Sequence, residues 1–91
     1  MKNDKRSPIV TVNNGFDPRN VNFVEESLFP CANGYYRLHG KGGSFSKYAN
    51  RRDDGSMVAG ERDLYLSEDE MVEWLSTHFS VEDAVSIICN M

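Results

Sequence analysis

Cys31, Cys89, His39 and His78 are the side chains of this sequence best suited to nucleophilic or acid–base work, and none falls into a spacing that such work needs. A nucleophile must stand beside a base, and the base beside a group that orients it. No local motif assembles that trio. His78 falls on an apolar helical stripe near a helix C-terminus, where an imidazole reads as a packing residue. The two cysteines are far apart and form no CxxC pair, so they read as reduced thiols that pack rather than as a disulfide or as metal ligands. The expectation is a protein that is not an enzyme and carries no cofactor.

Three further patterns invite a ligand and fail on context. Gly40-Lys41-Gly42-Gly43 has the glycines and the cation of an anion-binding loop, but a phosphate loop ends in Lys followed by Ser or Thr and opens a helix. The residues after Gly43 read as strand, so this stretch reads as a hairpin loop. Asn50 to Glu61 places glycine and glutamate at the sixth and twelfth positions of a calcium loop, yet Arg52 stands where calcium needs an oxygen and no helix pair flanks it. Zinc through Cys31 and His39 lacks the remaining ligands.

Charge is the stronger signal. Residues 35–52 carry five bases, Arg37, Lys41, Lys47, Arg51 and Arg52, and no acid, whereas residues 53–91 hold ten acids against Arg62 alone. Tyr35, Tyr36, Phe45 and Tyr48 interleave with the bases and offer stacking faces beside cations. This gives one functional expectation, a nucleic-acid-binding surface built from Tyr36, Arg37, Lys41, Lys47, Tyr48, Arg51 and Arg52. The acids give the other. Glu68, Asp69 and Glu70 oppose the dipole of a first helical turn, which stabilises by about 0.3–1 kcal/mol each and explains their presence locally. The remaining acids have no such reason and make an exposed negative surface that steers association with a basic partner. Asp53, Asp54, Glu68, Asp69, Glu73 and Glu82 are its candidate contact residues.

The elements that must position these side chains follow from the spacing of apolar residues and turn formers. Residues 1–7 are polar and read as a flexible tail ahead of a first strand, Ile9 to Asn13. Val21, Phe23, Val24 and Leu28 space as one or two helical turns within an Asn- and Pro-marked stretch. Tyr35 to His39, Ser44 to Ala49 and a return through Met57-Val58 and Asp63 to Leu66 read as a three-stranded antiparallel meander, with Gly60 at a bulge. Ser67 with Glu70 makes a capping box, and Met71, Trp74, Leu75 and His78 then share one helical face expected to bury Trp74 and Leu75. Ser80 with Asp83 starts a second helix, with Val81, Ala84, Val85 and Ile88 on one face.

Ninety-one residues that are 40% hydrophobic, with a net charge of −4, close one modest core and are too apolar to stay disordered. The expected fold is α+β: a small antiparallel sheet of three to four strands with two short C-terminal helices packed on it, residues 8–91 forming one domain. No apolar run approaches the roughly 18 residues of a membrane span, and the thiols suit the cytoplasm. The profile, small, acidic and without motifs, is that of stoichiometric inhibitors, immunity proteins and anti-defence or host-takeover proteins, a likeness of profile and not of sequence. The partner expected is therefore a larger protein or complex with a basic surface, with nucleic acid at residues 35–52 as the alternative.

Overall fold

The amide of Glu70 bonds the Ser67 hydroxyl, and the Glu70 carboxylate accepts in return from the Ser67 amide at 2.9 Å, so the capping box expected from sequence starts the first helix. That helix, α1 (Glu68–His78), is followed after Phe79 by a second cap, Ser80, and by α2 (Val81–Cys89). The structure is a computed structural model and describes residues 8–90. The tail expected at residues 1–7 lies outside the described residues.

Among the described residues six strands precede the helices: β1 (Val10–Asn13), β2 (Val24–Pro30), β3 (Tyr36–Gly42), β4 (Asn50–Arg51), β5 (Met57–Val58) and β6 (Gly60–Leu66). Four of them form one antiparallel sheet in the order β1-β2-β3-β6, while β4 and β5 pair only with each other in a short ribbon inserted between β3 and β6. The fold is α+β. The helices cover one face of the sheet, where Leu28 and Leu38 stand opposite each other in the ladder and meet Met71, Leu75 and Ala84 to form the core.

Several local expectations give way to tertiary structure. Val24 and Leu28 lie in β2 and not on a helix. Their spacing fits two periods, and pairing with β1 and β3 on both sides selects the strand. Gly40, Lys41 and Gly42 are not a hairpin loop but the last part of β3. The stretch 44–49 is a turn, closed by bonds from Ser46 N to Gly43 O and from Ala49 N to Ser46 O. Gly60 is no bulge: it pairs in register with Gly42, and a Cβ there would stand 2.5 Å from the Tyr48 carbonyl oxygen. In α2, the residues that pack are Ala84, Ile87 and Ile88, while Val81 and Val85 are exposed. Cys31 is half-buried and Cys89 exposed, so Cys89 is not the packing residue expected, and both are free thiols.

Candidate functional site

Among the described residues Glu26 is the one charged side chain buried in the core layer, at 2% exposure. Strand alternation puts it there, since β2 sends Val24, Glu26 and Leu28 toward the helices and Glu25, Ser27 and Phe29 to the opposite face. Three donors and an imidazole converge on it. The Tyr48 hydroxyl and Lys47 Nζ, the latter at 2.9 Å, reach Oε2. Trp74 Nε1 at 3.0 Å and His78 Nε2 at 3.4 Å reach Oε1. Burial pushes the carboxyl up, but the hydrogen bonds from Tyr48, Lys47 and Trp74 together outweigh it and hold it below the ordinary glutamate range. Burial, followed by the Glu26 carboxylate, pushes the Tyr48 phenol well up. A carboxylate offers about four acceptor positions. Held by the donors of Tyr48, Lys47 and Trp74, Glu26 is an ionised tie between sheet, loop and helix.

The tie depends on Gly40. It pairs with Glu26 across the ladder, and a Cβ at that position would fall inside the Tyr48 ring. The glycine therefore serves a close approach and not a turn. Arg62 completes the enclosure, its guanidinium 5.4 Å from the centre of the Tyr48 ring and donating to the Lys47 carbonyl.

Beside this tie runs a cleft of about 410 Å³ between α1 and β6. Its floor is Leu38, Leu64, Leu66 and Trp74, and its helical wall is Glu70, Glu73, Trp74 and Thr77, positions that share one face of α1. Trp74 is thus half-buried and borders the cleft, where the sequence led us to expect it fully packed.

The structure separates the residues of the two candidate surfaces. On the basic segment, Tyr48 is buried at 2% and presents no ring for stacking. Arg37 pairs with Asp63 at 3.1 Å and lies 4.3 Å over the Phe29 ring, Lys41 pairs with Glu25 at 3.5 Å, and Lys47 is held by Glu26. Tyr36 is half-buried against the core. Arg51 and Arg52 alone of the five bases have no ion-pair partner among the described residues, and Phe45 nearby is exposed. On the open sheet face His39 Nδ1 donates to Asp63 at 2.7 Å. That bond and then Arg37 hold the Asp63 carboxyl below its usual range.

Of the acids, Asp54 closes the β4–β5 turn by accepting from the amide and hydroxyl of Ser56, which lower its carboxyl. Asp53, Glu68, Asp69, Glu73 and Glu82 are exposed and have no cation partner among the described residues. Glu68, Asp69 and Glu73 run along α1, and Glu82 lies in the first turn of α2.

Sequence reasoning missed Glu26 as the centre of the arrangement. Reading β2 as an alternating strand would have placed it inward between Val24 and Leu28, and a buried acid demands partners. Among the described residues no group of three His, Cys, Asp or Glu side chains could hold a metal ion, and no helix is long and apolar enough to cross a membrane. No family model, no curated protein and no solved structure matches this chain, so its function is argued from its own residues.

Proposed function

We propose that this chain is a non-enzymatic protein-binding module of the cytoplasm, a stoichiometric inhibitor of the anti-defence, immunity or host-takeover type. In this reading it occludes a site on a larger basic or nucleic-acid-binding partner. The observation that carries the reading is the distribution of ion pairs. Arg37, Lys41 and Lys47 are spent within the fold on Asp63, Glu25 and Glu26. Asp53, Glu68, Asp69, Glu73 and Glu82 are left facing solvent with no cation among the described residues. Desolvated charge on a partner would find its complement there, and long-range attraction would speed the encounter. The engagement of Glu26 by Tyr48, Lys47 and Trp74 supports a binding role over catalysis, because it makes the carboxylate a structural tie.

The test is capture of the partner on the immobilised protein, followed by titration of the partner's own activity. Loss of activity that completes at one equivalent is expected. Direct binding of a nucleic-acid ladder that weakens steeply with salt would overturn the reading in favour of Arg51, Arg52 and Phe45 as a nucleic-acid surface.

A further inference from the structure

Leu38 and Leu64 are register partners on the helix side of the sheet, yet Leu38 is 3% exposed and Leu64 is 45% exposed. The helix layer therefore stops short of β6, and the cleft described above is the space it leaves. β6 is also the long edge of the sheet, seven residues against four in β1, and its only backbone partner among the described residues is β3. On the outer side of such a strand, alternate N–H and C=O groups have no ladder partner.

Proteins usually guard an edge of this length with proline, a bulge or outward charge. β6 has neither proline nor bulge, and two of its charges are drawn back onto the fold. Arg62 is held by the Lys47 carbonyl and the Tyr48 ring, and Asp63 by Arg37 and His39. The second half of the strand, Leu64-Tyr65-Leu66, is apolar, and Tyr65 is 65% exposed.

On the reading that this chain is a binding module, we infer that β6 takes up an extended segment of the partner by strand addition. Strand addition gives affinity through main-chain hydrogen bonds and specificity through alternate side chains. Alternation sends every second side chain of the incoming strand to the helix side, where an apolar residue seats against Leu64, Leu66 and Trp74. Charge fixes what flanks it. Within the cleft Glu26 is matched by Lys47 and Arg62 is engaged, whereas the Glu73 carboxylate has no partner among the described residues and that of Glu70 accepts only from the Ser67 amide. The segment that fits carries lysine or arginine two residues from that apolar one, on the same face, where it meets Glu70 and Glu73.

The probe is an acetylated, amidated heptapeptide whose alternate positions, which share one face, carry leucine or valine flanked by lysine or arginine, with threonine between them. Its binding is read from the emission of Trp74, the only tryptophan, and from amide exchange in residues 60–66. Saturable binding that slows exchange along β6 is expected, weakened about tenfold when the probe is N-methylated at alternate residues, because each methyl removes a donor from the ladder. Leu64→Glu and Glu73→Lys, both at exposed positions, should each weaken it with unchanged circular dichroism. An N-methylated probe that binds as tightly as its parent would overturn strand addition while Glu73→Lys still reports on the acidic reading. A probe with glutamine for every cation that binds as tightly, with β6 protected, would overturn the charge assignment and the acidic reading but not the edge. No binding at millimolar probe, or protection of β6 that depends on the protein's own concentration, would overturn the inference outright.

Discussion

The indole Nε1 of Trp74 donates to Oε1 of Glu26 over 3.0 Å and ties α1 to β2 across 48 positions of sequence. Since the donors around it hold the Glu26 carboxyl below the ordinary glutamate range, the ionised form is favoured in the folded chain. The stability linked to that shift is complete above about pH 4.3, the unfolded value, and is lost as pH falls through the lower folded value. Glu26→Gln should therefore flatten the acid limb of a urea-midpoint profile taken between pH 3 and pH 7, and should cost about 1–3 kcal/mol at neutral pH. An unchanged acid limb would show that the carboxylate is not the group that titrates with unfolding.

The packing of Tyr48 over Gly40 makes a second test. Tyr48→Phe keeps the ring over the strand and removes the hydroxyl, and should cost about 1 kcal/mol. Gly40→Ala leaves the ring no room and should cost about 1–3 kcal/mol by overpacking. Denaturation midpoints of the two variants decide the matter. A Gly40→Ala protein as stable as the parent would mean that Tyr48 does not lie over β3.

What the sequence made legible was whatever is encoded within a few residues. Ser67 and Glu70 define their cap in four positions, so it was readable. Gly40 and Gly42 look like turn glycines until Tyr48 and Ser46 are known to approach them, an approach made by a loop that local pattern cannot place. Leu28 and Val24 fit a helix as well as a strand because four positions return to one face in both. The candidate site suffered most. Glu26 gathers partners from positions 47, 48, 74 and 78, and the neutralisation of the basic segment depends on Glu25 and Asp63 from neighbouring strands.

The two caps are independent of the Glu26 tie. Ser67→Ala and Ser80→Ala should each lower stability by about 1 kcal/mol, since each strips an acceptor from an amide with no partner in its helix. Amide exchange at residues 68–70 should speed up in Ser67→Ala and not in Ser80→Ala. Equal rates in both variants and the parent would contradict the helix start drawn at Glu68.

The central claim is that the unpaired acids of α1 bind a basic partner, and its most direct measurement is the partner's affinity at two salt concentrations for the parent and for a triple variant, Glu68→Lys, Asp69→Lys and Glu73→Lys. All three residues are exposed, and the loss of two favourable dipole contacts should cost the fold no more than about 2 kcal/mol. Affinity of the parent should fall with added salt, and the variant should bind far more weakly, because reversal turns attraction into repulsion. Equal affinities for the two proteins, unmoved by salt, would contradict the acidic interface.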